Sequence, residues 1–534
     1  MTSEGLSLAE LSKQIKSLSE EVADIRADAA RLDELRRIFA RLTATGELSF
    51  GTGLPENKVA AKWKAFLLKH HKLMVSQLCD RVELGRHAAI RCLFGVVAAS
   101  PMTATTVAAK GKNGQDYYTH VNADLLQKWL RAMTRQEADE MDRAMRHMVE
   151  TEFFQPYRDV QYYILSSIST LAKEEYERQK ETSSTKLAEK LLEFLMIIPV
   201  PKSEAEMKSS QYLCPPPKDA KLRPRPKDDN GDSSEEDNDE DDADDSEEED
   251  DSDKEDKRPR KKRKKESSVH KFPFENRSTF LAEYQKAWLN VLKLNLPLTC
   301  LKRSLSFLPH YVLDYVPSPL RFADFFMQAY SDHGSGLVGV LALDGLFELI
   351  TESGLEYPDF YKQLYRLVSS RVLYAKYRSR FFTLLTKCLI RNEMLPAHLV
   401  AAFCKRLCRS ALNGPPPGIL FVLALVSNLL RKHPECSCLI DRKSNDEMKD
   451  EFLPQETDPT KTRALQSSLW ELVVLEHHYY APVSTLAKSI GTKEESKAPP
   501  HIIEEFSNHT FKSLFDQERK KRTQKTALTF QEPQ

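Results

Sequence analysis

The chain has 534 residues, enough for two or more domains that each bury a core of their own. Apolar residues make up 41%, glycines number only 17, and Leu, Ala, Lys and Glu dominate, a mix that favours helices and speaks against turn-rich β architectures. The net charge of −1 averages opposites: residues 228–265 hold 20 Asp/Glu and 9 Lys/Arg, so the remainder carries about +10, which suits RNA-rich surroundings and equally many nuclear proteins.

The first predicted element spans residues 7–42 within an N-terminal region of 1–45. Leu8, Leu11, Ile15, Leu18, Val22, Ile25, Ala29 and Leu32 alternate at steps of three and four, the a/d seam of an amphipathic or coiled-coil helix. Ser7 and Glu10 form a capping-box pair at its start. After Leu32 the register slips at Leu35 and Phe39. Such a seam fits a partner chain or a fold-back onto its own domain, and the pattern leaves both open.

Residues 46–201 read as a first helical array. Its amphipathic runs include Trp63–Leu68, Ile90–Val97, Leu125–Met133, Val160–Leu171 and Leu187–Ile198, with turns expected at Ser100-Pro101 and Lys110–Gly114. Residues 202–270 break the pattern. Cys214-Pro215-Pro216-Pro217 and Arg223-Pro224-Arg225-Pro226 cannot continue a helix, and the acidic and basic blocks that follow lack the apolar surface to offset ordering. A disordered linker and a domain boundary are expected there. Residues 271–490 read as a second array without a convincing strand. In it Tyr357-Pro358 and Leu395-Pro396 are placed at helix starts, and the apolar run 418–430 is too short to span a bilayer and reads as a buried core helix. The tail, 491–534, holds a short amphipathic helix around Phe511, Leu514 and Phe515 and then a basic end. The expected fold is all-α, an irregular α-solenoid of HEAT- or armadillo-like arrays interrupted by the acidic–basic insert.

The chemistry on offer is sparse. The nine cysteines are odd in number, scattered and mostly in apolar context, which predicts free thiols in a reducing compartment; the N-terminus has no basic-then-apolar signal pattern. Cys436-x-Cys438 with His433, or Cys404 with Cys408, would supply two close ligands, but neither has the second pair of a structural zinc site, so no metal and no cofactor is predicted. HExxH, GxxxxGK[ST] and strand-linked GxGxxG are absent, and Asp332–Gly336 reads as a helix connection, so no catalytic residue is assigned.

Two signals lie in the insert. Ser233, Ser234, Ser246 and Ser252 each have an acidic residue three positions on, the pattern favoured by acidophilic casein-kinase-two-type kinases, and are candidate phosphorylation sites. Lys257, Arg258, Arg260, Lys261, Lys262, Arg263, Lys264 and Lys265 read first as a nuclear import signal and second as a contact for RNA phosphate.

Several separated blocks occur in an order that carries a family pattern. They are Leu346-Phe347-Glu348-Leu349-Ile350, Tyr357-Pro358-Asp359-Phe360-Tyr361, Tyr377–Phe382, Leu395-Pro396-Ala397, Ala402–Leu407, Arg431–Pro434, and Thr457-Asp458-Pro459 leading through Trp470 to His478-Tyr479. Over roughly residues 311–490 the chain resembles the C-terminal domain of the CCAAT-binding-factor family of nucleolar ribosome-assembly proteins, and its length resembles the small-subunit branch. Ala481-Pro482 departs from the family's usual proline placement after the Trp helix. The resemblance implies a non-enzymatic scaffold of the small-subunit processome in the nucleus and nucleolus. It would pair with nucleolar protein fourteen and other processome proteins, support small-subunit rRNA maturation and pre-particle export, and have pre-rRNA as a further candidate contact. No membrane or small-molecule substrate is implied. Phe347, Tyr357, Pro358, Phe360, Tyr361, Trp470, His478 and Tyr479 are the family-motif residues, expected mainly to hold helices together and secondarily to touch a partner. The alternative is a nuclear DNA-binding or transcription-linked factor of the CCAAT-binding-factor type, although no groove-reading module is visible.

Overall fold

The structure is a computed structural model that describes residues 8–21, 29–44, 58–83, 87–99, 106–110, 116–119, 121–135, 143–178, 185–209, 211–214, 272–334, 336–392, 394–441, 450–492 and 499–521. The acidic block, its four serines and the basic run 257–265 lie outside the described residues, as do Ser7 and the middle of the N-terminal seam. The described residues are helical almost throughout, as the composition predicts. They pack as two compact units: one drawn from 1–137, 147–164 and 203–280, the other from 138–146, 165–202 and 281–534.

In the first unit the N-terminal seam forms two helices, α1 (Leu8–Glu21) and α2 (Ala29–Ala44). Leu11, Ile15 and Leu18 are buried, and α1 packs on α2 and on α3 (Lys58–Glu83), with Ser19 Oγ 3.1 Å from His70 Nδ1. Leu35 and Phe39, where the heptad register slips, are themselves buried. The stretch of the seam at Leu11, Ile15 and Leu18 is therefore covered by this chain, and the slip at Leu35 and Phe39 marks a second packing face. Next come α4 (His87–Ala99) and α5 (Ala123–Thr134), whose Phe94 and Trp129 meet edge to face at 4.9 Å while Phe94 stacks on Phe153 at 3.9 Å.

Between α4 and α5 lies one departure from an all-α chain, an antiparallel hairpin of β1 (Thr106–Lys110) and β2 (Asp116–Thr119) with a bulge between Val107 and Ala109. Its β-branched and aromatic residues, with Asn113-Gly114 between the strands, are a hairpin signal too short to stand out beside helices. Lys110, where a turn is expected to begin, is the last residue of β1, and residues 111–114 lie outside the described residues.

Helices α6 (Arg143–Val149) and α7 (Arg158–Arg178) follow, then α8 (Thr185–Ile197) and α9 (Glu204–Ser209). The buried Asp159 carboxylate accepts from the N–H groups of Leu213 (3.0 Å) and Cys214 (2.9 Å), which fixes the chain just before the insert. On the far side of the insert, Phe274 lies 5.2 Å from Tyr212 and 6.2 Å from Tyr163, ring to ring. The two ends of segment 215–271 thus meet within one unit. The expected boundary at 202–270 differs from this arrangement: the insert leaves and rejoins the first unit, whereas α8, placed by the sequence in the first array, packs in the second unit against α11 (Leu298–Tyr311). Composition marks where a chain stops packing; which surfaces then pair is set by the fold.

The second unit continues with α10 (Arg277–Leu292) before α11, then α12 (Ala323–His333), α13 (Leu337–Ser353), α14 (Phe360–Leu367), α15 (Ser370–Tyr374) and α16 (Arg378–Leu385). After it come α17 (Ala397–Ala411), α18 (Pro416–Lys432), α19 (Trp470–Leu475), α20 (Ala481–Ser489), α21 (Ile503–Ser507) and α22 (Phe511–Lys520). The apolar run 418–430 is the centre: every residue of α18 from Pro417 to Leu429 is buried, with Phe421 stacked on Phe382 at 3.7 Å. Asn428, which interrupts that run, clamps the later chain by donating to His501 O (2.8 Å) and accepting from His501 N (2.9 Å). Among the described residues no helix is long and apolar enough to cross a membrane.

Helices α12 and α13 approach closely at Gly345, where a Cβ would sit 2.6 Å from Phe326 Cδ1, deep inside contact distance, and Phe326 is fully buried. Helix propensity alone would make Gly345→Ala stabilising by about 1 kcal/mol. Overlap with the ring reverses the sign, and we expect a loss of about 1–3 kcal/mol, read as a lower urea midpoint at unchanged slope; a raised midpoint would show that the two helices can part freely.

Candidate partner-binding site

The family-motif residues of α13 and α14 converge on one cleft of about 770 Å³. Gly354 ends α13 in the left-handed conformation (φ +68°), and Leu355 N–H returns to Leu349 O at 3.1 Å, a glycine C-cap that folds the chain back over the helix end. That reversal lays Tyr357, Pro358 and Phe360 against Phe347, whose ring is 5.8 Å from that of Phe360. Phe360 is buried and forms the floor; Phe347, Tyr357 and Tyr361 are half-buried walls, and Pro358 is exposed. Pro358 does not start the helix as the sequence predicts: it precedes the Asp359 cap of α14.

The opposite wall is a π-helical turn, Thr386–Arg391, continuing from α16. Such turns push side chains out of helical register and recur at functional positions. This one aims Lys387 at two carboxylates one turn apart on α13, Asp344 (3.1 Å) and Glu348 (2.8 Å). Burial alone would depress the Lys387 ammonium, yet the two carboxylates outweigh it and hold its pKa above the ordinary value. Tyr361 accepts from Asn392 Nδ2 (2.8 Å) and donates to Cys388 O (3.4 Å); burial pushes its phenol up to about 12 against the Asn392 bond. Lys432 Nζ closes the turn on Ile390 O (2.6 Å) and Asn392 O (2.8 Å). Burial raises the Cys388 thiol well above its usual range. The lysine, phenol and thiol here are all held in their protonated, unreactive forms, so the cleft offers an apolar floor within a rim of Glu348, Glu352, Glu356 and Arg391.

The C-terminal part of the motif builds a different feature. Lys405 of α17 is fully buried with its Nζ 2.9 Å from Glu471 Oε1, 2.5 Å from Ser468 O and 3.5 Å from Asp450 Oδ2. Glu471 is also fully buried, and burial raises its carboxyl against the pull of Lys405. Asp450 is the reverse. Burial would raise it, but bonds from Ser467 Oγ (2.6 Å), Trp470 Nε1 (3.0 Å) and Phe452 N, together with the Lys405 charge, bring it down to about 2. Trp470 lies over Lys405 Nζ at 5.2 Å and over Arg409 at 5.7 Å, roofing the cluster while 38% exposed. It is thus not a core tryptophan but a lid whose outer face meets solvent.

Beyond that lid, α19 turns Leu472 and Leu475 inward and leaves Val473 (58%) and Val474 (52%) outside. His478 accepts from Tyr480 N (3.1 Å) and packs its ring 4.3 Å from Tyr479, which is 82% exposed. In α22 Leu514 is buried, whereas Phe511 and Phe515, expected on the same apolar face, are mostly exposed. Sequence reasoning missed Val473, Val474 and the Lys405–Glu471 pair. Lys405 stands in a quoted motif block, but nothing in its local pattern distinguishes a buried lysine from a solvated one. Cys404, Cys408 and Cys436 are buried, and burial pushes the Cys436 thiol up to about 11.

The CBF/Mak21 family model matches residues 339–487, the stretch that holds both features. Nucleolar complex protein 4 homolog of Homo sapiens is 42% identical over 240 residues, covering 45% of this chain and 46% of the relative. Nucleolar complex protein 4 homolog B of Xenopus laevis is 39% identical over 249 residues (46% of each chain). Protein NUCLEOLAR COMPLEX ASSOCIATED 4 of Arabidopsis thaliana is 37% identical over 273 residues (46% of this chain, 47% of the relative). The matched region spans about half the length of these curated relatives.

Proposed function

We propose, on the premise that residues 339–487 form a CBF/Mak21 family domain, that the chain is a non-catalytic scaffold of a nucleolar ribosome-assembly complex. In the finer reading it works in the small-subunit processome, docked to nucleolar protein fourteen, and supports small-subunit rRNA maturation and export of the precursor particle. The observation that carries the proposal is the uncovered apolar edge of that domain: Val473 and Val474 of α19 and Tyr479 just beyond it are all more than half exposed, beside a buried charge cluster that anchors the start of α19. Exposed aliphatic and aromatic side chains are what protein interfaces bury, and they are costly to leave in water. The cleft at Phe347 and Phe360, with Glu352 and Glu356 on its rim beside the Lys387-paired Glu348 and Arg391, suits an apolar side chain with a polar neighbour from the same partner. The run 257–265 is proposed as the import signal, and Ser233, Ser234, Ser246 and Ser252 as phosphorylation sites.

The test is capture of the tagged full-length chain from nucleolar extract. The wild type is expected to bring down nucleolar protein fourteen and other processome proteins. Val473→Glu with Val474→Glu is expected to reduce that recovery at least tenfold, with an unchanged melting temperature because neither side chain contributes to the core. Recovery of the wild-type chain alone would overturn the proposal.

A further inference from the structure

A second cleft, of about 650 Å³, opens in the second unit between α11, the start of α13 and the turn from α15 into α16. Its lining includes Lys302, Arg303, Lys376 and Arg380, together with Tyr311 and Tyr377, and none of its lining residues is acidic. Arg303 is engaged by Glu193 at 3.4 Å, and Arg380 donates to Ser306 Oγ at 3.0 Å. Lys302 and Lys376 make no ion pair among the described residues. Of the four cations, only Arg303 is therefore matched by a carboxylate among the described residues.

The rings supply the second observation. Trp288 of α10 is buried, and Phe307 stacks on it at 5.8 Å with 21° between planes; Tyr311 stacks on Phe307 at 4.7 Å and 19°. The outermost ring of this three-ring ladder, Tyr311, is 58% exposed and lines the cationic cleft. Among the described residues no ring other than Phe307 stacks on Tyr311. A flat aromatic group carrying negative charge on a flexible tether matches both features, and a nucleotide strand is that chemistry. An acidic peptide would use the cations but would leave the ladder unextended.

We propose that this cleft binds single-stranded nucleic acid, with phosphates held by Lys302, Lys376 and Arg380 and one base stacked on Tyr311. The site stands on these residues and is independent of the scaffold reading, so it would hold even if partner capture failed. Fluorescein-labelled twelve-residue oligouridine and oligothymidine, titrated into the full-length chain at several salt concentrations, test it. Binding of either strand at Tyr311 supports the site, and the stronger of the two tells whether RNA or DNA is its ligand. Tyr311→Ala is expected to weaken binding about tenfold, and Tyr311→Phe, which keeps the ring, by less than about twofold. Removing the three cations together is expected to shallow the salt dependence by about two units of slope. Because the run 257–265 can also attract phosphate, position is read directly: photocrosslinking with 5-iodouridine is expected to leave an adduct on Tyr311 or Phe307. Adducts confined to 257–265, an unchanged affinity in folded Tyr311→Ala, or a polyglutamate peptide competing as strongly as the oligonucleotide would each overturn the assignment.

Discussion

Replacing Lys405 by alanine is expected to lower stability by about 3–5 kcal/mol, because it strands the fully buried Glu471 without its counter-charge. The ammonium also donates to Ser468 O and supports the Trp470 lid, so the chain around α19 should loosen with it. Replacing both partners by apolar residues, Lys405→Met with Glu471→Leu, is expected to recover most of the loss, since a buried pair stabilises little against well-packed hydrophobes. Equilibrium urea unfolding of the two variants, with both single variants completing the cycle, measures this. The deficit of Lys405→Ala should also depend on pH. The Glu471 carboxyl is already raised in the folded chain by burial, and loss of the lysine that opposes burial raises it further. A raised folded pKa gives stability that is present in full below the unfolded value of about 4.3 and is lost as pH rises through the folded one. The deficit should therefore be smaller near about pH 5 than near about pH 8. A deficit independent of pH would mean that Glu471 reaches water or another cation once Lys405 is gone.

Phe360→Ala is expected to cost about 3–5 kcal/mol, whereas Tyr479→Ala should change stability by no more than about 0.5 kcal/mol. Both stand in motif blocks and look equivalent in the sequence. In the structure Phe360 is 2% exposed, packed between Phe347 and Tyr361 under the first cleft, and its removal leaves a void in the floor. Tyr479 is 82% exposed and touches mainly His478. The urea midpoints separate the two roles, and the capture assay reverses their order: folded Tyr479→Ala should lose partner before it loses stability. Equal destabilisation by both would refute the division of the motif into floor and surface.

Much of the fold is legible without coordinates. The apolar stripes of α3, α5, α8 and α17 recur at helical spacing, and the prolines before α17 and α18 stand at their starts. Run 418–430 could be read as a core helix because it is too short for a bilayer and carries Asn428, and that asparagine turns out to clamp His501. The N-terminal seam was visible, but its occupant was not, since Leu11 and Ile15 need only an apolar neighbour, and α3 of the same chain supplies it. The hairpin Thr106–Thr119 was lost because strands of five and four residues offer too few alternations to register.

The sequence by itself determined the helical class, the break in helical pattern at the acidic–basic insert, and a stretch whose ordered blocks resemble a known family. These are properties of local pattern and composition, which the chain carries wherever it goes. Only the tertiary structure decided that Trp470 is a lid and not a core residue, that Lys405 and Glu471 are buried together, that the ends of the insert meet beside Tyr212, and that Tyr311 is the exposed end of a three-ring stack. Burial and charge pairing belong to two surfaces at once, often separated by scores of residues. A single stretch of sequence states the character of one surface; the fold chooses the other.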